Sequence, residues 1–296
     1  MRRSVDPLVS TAWLASQLPG SGRRPGGERR APGTLVVVDV REPHLYDAGH
    51  IHGAISIPFS PVSDWAISTE ELLMELPEEA DLLRVISDHG MGTDSRVVIV
   101  TTLDKPPAPP YSLSDATRVA ATLIHAGVKN VAILDGGHPK WVREGREITT
   151  IKPRISPAIY RGEIHGETFV STEYVKDRLG SSLILDARDA EEYSGVRICP
   201  FAGKAGHIPT AWSLPAVWLW EADGTYRSVE LLAQMALTAL GGRTPGEAGA
   251  EIILYCGVGG YASAWWFVLT QVLGYTNVKI YDGAAEAWAK ENDMVL

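Results

Sequence analysis

The run LVVVDVR at residues 35–41 recurs as LILDAR at residues 183–188. Both are short, continuous apolar runs that end in Asp-x-Arg, and such runs are typical of buried strands in a parallel sheet. Downstream of each run the chain repeats a second element, HIHGA at residues 50–54 and HIPTA at residues 207–211. Because these pairs occur in the same order, they predict that one domain architecture is present twice.

Two further pairs extend the repeat, namely VVIV (97–100) with IILY (252–255) and NVAILDGG (130–137) with NVKIYDGA (277–284). A helix is predicted after each member of the VVIV and IILY pair, over residues 116–126 in the first half and 261–273 in the second. A Ser-Thr helix start opens each half, at residues 10–11 and 171–172. The alternation of strands and helices predicts an open, mostly parallel sheet in each half.

The expected fold class is therefore α/β, with two tandem domains, each a mostly parallel sheet flanked by helices. We expect the first domain over residues 1–148 and the second over residues 167–296. Residues 149–166 contain Pro153 and Pro157 and no clear periodicity, so they are interpreted as the linker. A length of 296 residues agrees with two domains because it exceeds the usual size of a single hydrophobic core.

Composition narrows the function classes. A net charge of −9 gives no reason to expect a nucleic-acid partner, since binding to phosphates needs a basic face. Arg23, Arg24, Arg29 and Arg30 are a local exception, interpreted as a solvated loop, with an anion or partner patch as the alternative. No apolar run is long enough to span a membrane, and the first ten residues lack a signal-peptide core, so a cytoplasmic location without membrane attachment is expected.

The chain has two cysteines, Cys199 and Cys256, which form neither a disulfide framework nor a common zinc pattern. Cys256 follows the fourth strand of the second repeat and opens CGVGGY, residues 256–261. We call these six residues the cysteine loop. Its three glycines allow positive φ and inward-turned N–H groups, and a helix N-terminus follows. This arrangement predicts an anion-binding nest that lowers the cysteine pKa and makes the sulfur nucleophilic.

The first half has Thr101 where the second has Cys256, followed by the proline-rich TLDKPPAPPY at residues 102–111. Proline lacks the N–H group that a nest requires, so this longer loop cannot reproduce the cysteine loop. The first domain is therefore predicted to be inactive and to close one side of the cleft.

The chain resembles the rhodanese and 3-mercaptopyruvate sulfurtransferase family over nearly its whole length. The resemblance rests on two tandem α/β repeats and on the elements Asp-x-Arg, His-Ile-x-x-Ala, Cys-Gly-x-Gly and Tyr-Asp-Gly. The resemblance implies that Cys256 is catalytic and accepts sulfane sulfur as a persulfide from thiosulfate or 3-mercaptopyruvate. It also implies transfer of that sulfur to a thiophilic acceptor, either cyanide or a thiol, with a thioredoxin-like reductant as one conceivable partner. Such chemistry needs a nucleophile and an electrostatic cradle, so neither a metal nor a cofactor is expected.

The resemblance further assigns substrate binding to Arg188, which closes the LILDAR run, and to the loop residues Gly257, Val258, Gly259, Gly260 and Tyr261. Arg188 could instead tie loops together through Asp186. Arg197 and Lys204 are candidates for added positive charge over Cys256, with a solvated loop as the alternative for both. Cys199 lies in the same segment and is interpreted as a spectator thiol, although it could trap a persulfide as a disulfide.

The cysteine loop is neutral and lacks the serine of mercaptopyruvate-preferring relatives and the basic residues of thiosulfate-preferring ones. Its neutrality favours mercaptopyruvate or a protein persulfide as donor, without excluding thiosulfate. A phosphatase of the same fold would need an arginine after the cysteine, and none follows Cys256. The remaining alternative is a non-catalytic rhodanese-like binding or sulfur-relay module, against which the retained Cys256 argues.

Overall fold

A computed structural model of the protein describes residues 3–18, 34–60, 62–247, 249 and 251–296. Arg23, Arg24, Arg29 and Arg30 lie outside the described residues, so the solvated loop expected there stays a prediction. No helix in the part of the chain that the structure describes is long and apolar enough to cross a membrane.

Each half contains one five-stranded parallel sheet. The strands of the first half are β1 (Leu8–Val9), β2 (Leu35–Asp39), β3 (Ile55–Ser56), β4 (Arg96–Val100) and β5 (Asn130–Leu134). Those of the second half are β6 (Phe169–Val170), β7 (Leu183–Asp186), β8 (Trp212–Ser213), β9 (Ile252–Tyr255) and β10 (Val278–Tyr281). Their orders, β1-β5-β4-β2-β3 and β6-β10-β9-β7-β8, are equivalent. The predicted fold class of two tandem parallel α/β domains is therefore confirmed.

Helices connect the strands in the same sequence in both halves. The first half contains α1 (Thr11–Gln17), α2 (Pro43–Ala48), α3 (Glu79–Asp88), α4 (Tyr111–His125) and α5 (Gly137–Arg143). The second contains α6 (Thr172–Arg178), α7 (Ala190–Tyr193), α8 (Val229–Ala239), α9 (Gly260–Phe267) and α10 (Ala284–Glu291). Helices α1 and α6 begin as predicted, because Ser10 and Ser171 accept the N–H groups of Trp13 and Tyr174 at 3.1 and 3.3 Å.

Two helix bounds differ from the sequence expectation. Helix α4 starts at Tyr111, five residues before the predicted start, because Pro110 precedes the first turn and needs no N–H partner there. Helix α9 ends at Phe267, and the chain continues as a wider π-type turn over Val268–Val272. The earlier start of α4 matters for the site, since it adds one turn at the boundary between the halves.

The two halves share a core. Helix α4 packs directly against α9. Buried residues of both, including Val119, Leu123 and Trp265, belong to one apolar cluster that runs through both halves. Each sheet has a separate cluster on its far face. This packing brings the loops that follow β4 and β9 to the same boundary.

Residues 149–166 contain no helix or strand element. They lie along the first half, where the Tyr160 hydroxyl donates to the Ala126 carbonyl at 2.7 Å and the His165 N–H donates to the His125 carbonyl at 2.7 Å. The limits of the two domains stay a prediction.

Candidate active site

A cavity of about 270 Å³ lies between the halves. Its floor and one wall come from the second half, from the cysteine loop, the start of α7 and the segment around Cys199. The opposite wall comes from the first half and is formed by Ser68, Leu73, Met74, Pro109, Tyr111, Ser114 and Asp115. Ligands of open α/β sheets bind beyond the carboxyl ends of the strands, which is where this cavity lies.

Cys256 follows β9 directly and lines this cavity with 3% of its surface exposed. The Gly259 N–H donates to its sulfur at 3.0 Å. Burial raises the pKa of Cys256, whereas the backbone N–H groups of Ala262, Gly259, Val258 and Tyr261 lower it, and burial is the larger effect. The expected nest is present, but the expected fall in pKa is wrong for the resting thiol, because exclusion of water penalises the thiolate more than the nest stabilises it.

The three glycines of the loop are needed for different reasons. Only Gly259 among them has a left-handed φ, +104°, and a Cβ there would lie 2.9 Å from Nη1 of Arg118. A Cβ on Gly257 would lie 3.0 Å from the Phe201 ring, and one on Gly260 would lie 3.2 Å from the Ser114 hydroxyl. The loop therefore closes through one special backbone conformation and two close approaches by neighbouring segments.

Helix α10 holds the loop from behind. The Ala285 N–H donates to the Cys256 carbonyl at 2.8 Å, and the Glu286 N–H donates to the Gly257 carbonyl at 3.1 Å. These bonds satisfy the loop carbonyls and leave its N–H groups turned toward the sulfur.

Arg188 lines the cavity and is 1% exposed. Its guanidinium grips both carboxylate oxygens of Asp186 and donates to the Gly206 carbonyl at 2.8 Å. Burial lowers the pKa of Arg188, but the bonds and charge of Asp186 outweigh it and raise the pKa above its ordinary value. Its Nη1 is buried without a hydrogen-bond partner. Both interpretations of Arg188 thus have a structural counterpart. Its bonds to Asp186 and Gly206 connect two loops, and its Nη1 is a free donor at the cavity.

The structure brings Arg197 to the cavity but not Lys204. Arg197 is about half exposed and pairs with Asp189 and, at 3.6 Å, with Glu192. Lys204 donates to the Asn292 carbonyl at 3.0 Å and does not line the cavity. Substrate binding by Lys204 is therefore not supported, and its exposed position beyond Phe201 fits the solvated-loop alternative.

Val258, Gly260 and Tyr261 line the cavity with Cys256 and Gly257. The Tyr261 ring lies 5.8 Å from that of Tyr111, which reaches in from the first half. The Tyr261 hydroxyl is buried without a hydrogen-bond partner. Tyr261 therefore offers a second donor beside Cys256.

Cys199 also faces the cavity and is 1% exposed. Its sulfur lies 3.4 Å from the position that a Cβ on Gly257 would take. Burial raises the pKa of the Cys199 thiol. The sequence placed this residue only in an inserted segment, and nothing in its spacing revealed that the segment covers the cysteine loop.

In the first half, Thr101 occupies the position equivalent to Cys256, and local hydrogen bonds fix the loop that follows it. The Thr101 hydroxyl donates to the Ser112 carbonyl at 2.6 Å, and the Asp104 carboxylate accepts the Ser112 N–H at 2.7 Å. The cavity-facing Tyr111, Ser114 and Asp115 were missed by sequence reasoning. The sequence feature that could have identified them is a stretch of polar and aromatic residues immediately before the predicted helix, at the end of the sheet where ligands bind.

Within the described residues, no group of three or more histidine, cysteine, aspartate or glutamate side chains could hold a metal ion. The chemistry available to the cavity is that of a buried thiol, backbone N–H donors, a free arginine nitrogen, a tyrosine hydroxyl and an unpaired carboxyl group.

Comparison with known families agrees with this architecture. The family model described as the rhodanese-like domain matches residues 28–144 and again residues 171–291. The chain belongs to the rhodanese family and consists of two rhodanese-like domains.

The curated relatives align with this chain over nearly its full length and nearly the full length of their own. The "Putative thiosulfate sulfurtransferase" of Saccharopolyspora erythraea is 29% identical over 97% of this chain and 94% of its own. "Sulfur carrier protein TtuD" of Thermus thermophilus is 30% identical over 95% of this chain and 93% of its own. These names place the chain in a sulfurtransferase family.

Solved structures share the fold. The anaerobic ergothioneine biosynthesis enzyme of Chlorobium limicola, solved with trimethyl histidine, superposes with a TM-score of 0.76 at 22% identity, covering 98% of this chain and 71% of that one. The protein YnjE gives a TM-score of 0.76 at 22% identity, covering 98% and 68%. At this identity the likeness concerns the fold alone.

Proposed function

We propose that this protein is a sulfurtransferase that takes sulfane sulfur from thiosulfate or 3-mercaptopyruvate, holds it as a persulfide on Cys256 and passes it to cyanide or a thiol. One observation supports this most strongly. A buried cysteine that lines the cavity between the halves receives backbone N–H groups, while the equivalent position in the first half is a threonine engaged in local bonds. The first domain then serves as a wall and has no sulfur-carrying residue of its own.

In the first step Cys256 releases its thiol proton to water, and the thiolate attacks the terminal sulfur of the donor. The new bond joins the two sulfur atoms, and the bond between sulfur and the rest of the donor breaks. The electron pair of that bond leaves with sulfite or with the enolate of pyruvate. Loop N–H groups stabilise the negative charge of the Cys256 thiolate and, when thiosulfate is the donor, of the persulfide, as preorganised donors do for other anionic intermediates.

In the second step the acceptor attacks the outer sulfur and the Cys256 thiolate leaves. No redox partner is required when the acceptor is cyanide. A thiol acceptor leaves as a persulfide, from which a thioredoxin-like dithiol would release sulfide.

The charges of the cavity favour a singly charged donor group over a doubly charged one. Arg197 is paired with Asp189 and Glu192, and Arg188 is paired with Asp186. Among the described residues that line the cavity, the side-chain donors buried without a partner are Nη1 of Arg188 and the Tyr261 hydroxyl. Together they match the carboxylate of 3-mercaptopyruvate. The name of the Saccharopolyspora relative supports thiosulfate as the other donor.

The relay alternative is supported by a different observation, the relative that is named a sulfur carrier protein. A relay and an enzyme share the Cys256 persulfide and differ in turnover with small molecules. Thiocyanate release from cyanide and each donor distinguishes them: the proposed enzyme turns over many times and Cys256→Ala not at all. A single stoichiometric release from the parent would favour the relay, and equal turnover by Cys256→Ala would overturn the proposal.

A further inference from the structure

Asp115 is an unpaired carboxyl group on the first-half wall of the cavity that Cys256 also lines. It lies in the first turns of α4, one turn after Tyr111, and both side chains line the cavity. Among the described residues, Asp115 has no hydrogen bond and no ion pair. Its neighbour Asp104 differs, because Asp104 accepts both the N–H and the hydroxyl of Ser112 at 2.7 and 2.9 Å.

An unpaired carboxyl group in a mostly apolar cavity is costly to ionise. Besides Asp115, the charged or titratable groups that line the cavity are Tyr111 on the same helix and, from the second half, Arg188, Asp189, Glu192, Arg197, Cys199, Cys256 and Tyr261. The two arginines among them are already paired with other carboxylates. Burial, followed by the charge of Asp104, raises the pKa of Asp115 to about 8. In neutral water Asp115 is therefore mainly a carboxylic acid.

We propose that Asp115 is a catalytic proton-exchange residue that protonates the carbon leaving group of a thiol donor and later takes the proton of the acceptor thiol. This inference rests on the proposed sulfurtransferase function. It adds a catalytic group from the first domain, which otherwise supplies only a wall.

The cycle balances with Asp115 as its only proton carrier. The Cys256 thiolate attacks the sulfur of 3-mercaptopyruvate, the carbon–sulfur bond breaks, and Asp115 protonates the enolate to give pyruvate. The products of this step are the Cys256 persulfide in its protonated form and the Asp115 carboxylate. The carboxylate then accepts the proton of an acceptor thiol, whose thiolate attacks the outer sulfur. The acceptor persulfide departs, and the Cys256 thiolate and the Asp115 acid are regenerated.

Thiosulfate provides an internal control. When its sulfur–sulfur bond breaks, sulfite leaves with the electron pair and needs no proton. Loading of Cys256 from thiosulfate should therefore not depend on Asp115, whereas loading from 3-mercaptopyruvate should. A side chain that only shaped the cavity would affect both donors.

The test is single-turnover loading of the full chain with each donor, measured by rapid quench and intact mass. Asp115→Asn, which resembles the protonated carboxyl group in size and polarity, should slow loading from 3-mercaptopyruvate by about 100-fold or more, the range of general acid catalysis. It should leave loading from thiosulfate unchanged. The matched control is Asp88→Asn at an exposed position outside the cavity, which should change neither rate.

A second readout is the pH profile of loading from 3-mercaptopyruvate. The ratio of the parent rate to the Asp115→Asn rate should fall as pH rises through about 8, because both proteins share the ionisation of Cys256 and only the parent loses the Asp115 proton. Equal loading of parent and variant by both donors, or equal slowing with both, would overturn the role of Asp115 while leaving the sulfurtransferase function standing. Failure of the parent to load from either donor would overturn the proposed function itself, and this inference with it.

Discussion

Arg118 of the first half and Asp282 of the second form an ion pair at the domain boundary, with Nη2 2.7 Å from Oδ1. The Arg118 side chain is fully buried, donates also to the Met74 carbonyl and lies 4.6 Å from the centre of the Phe169 ring. Its Nη1 lies against Gly259 of the cysteine loop. One side chain thus joins the two domains and supports the loop from the first half.

Replacing Arg118 with methionine should destabilise the protein strongly. The change leaves the Asp282 carboxylate without its partner, and removing one member of a buried pair typically costs about 3–5 kcal/mol. Denaturant unfolding measures the difference. Arg84→Met is the control, because the Arg84–Asp81 pair is exposed and contributes little. Equal unfolding midpoints for the two variants would show that the Arg118 pair does not hold the domains together.

Gly259→Ala should abolish loading of Cys256 with sulfur. The substitution forces an alanine to φ +104° and places its Cβ 2.9 Å from Arg118, so the Gly259 N–H cannot stay on the sulfur. The backbone strain alone costs about 1–3 kcal/mol. Gly274→Ala carries similar strain at φ +79° but meets open space, and it should load normally. Intact mass after incubation with donor compares them, and normal loading of Gly259→Ala would contradict the role of the nest.

Arg188→Lys should raise the KM for 3-mercaptopyruvate by about 10-fold or more, because a hydrogen bond to a charged group contributes about 1.5–3 kcal/mol and lysine cannot hold Asp186 and a substrate together. Arg41→Lys is the matched control. Arg41 grips Asp39 and the Gly49 carbonyl as Arg188 grips Asp186 and the Gly206 carbonyl. Steady-state kinetics should show the KM effect only for Arg188. Equal changes in KM for the two variants would mean that both arginines only connect loops and that Arg188 does not bind substrate.

Glu75 should make stability depend on pH. Burial, then the charge of Asp282, raises the pKa of Glu75 to about 7, and its Oε1 is buried without a partner. The folded state holds the Glu75 proton more tightly than the unfolded state does. Its contribution to the free energy of unfolding is therefore complete below the pKa of the unfolded chain and is lost as pH rises through about 7. Thermal unfolding from pH 5 to pH 8 should show a smaller decline for Glu75→Gln than for the parent or for exposed Glu70→Gln. Parallel declines would contradict this assignment.

Local sequence was sufficient for much of the fold and for part of the site. Apolar runs ending in Asp-x-Arg located β2 and β7, and the Cys-Gly-x-Gly pattern located the cysteine loop, because strands, tight turns and helix starts depend on near neighbours in the chain. The same is true of the Asp186–Arg188 tie, whose two residues are only two positions apart.

Other features depend on how the halves pack. The sequence could not reveal that Asp115 lines the same cavity as Cys256, that Arg118 supports Gly259 or that Lys204 lies away from the cavity, since each relation joins distant segments. The direction of the Cys256 pKa shift was wrong for the same reason. The nest is local, whereas the burial that outweighs it comes from segments around Cys199 and Met74 that close over the loop.

The most direct test of the central claim is to locate the transferred sulfur. Parent, Cys256→Ser and Cys199→Ser proteins are incubated with thiosulfate or 3-mercaptopyruvate, alkylated and digested, and the peptides are analysed by mass spectrometry. We expect one added sulfur atom on the peptide that contains Cys256 in the parent and in Cys199→Ser, and none in Cys256→Ser. Sulfur on the Cys199 peptide instead, or no sulfur on the parent with either donor, would contradict the account.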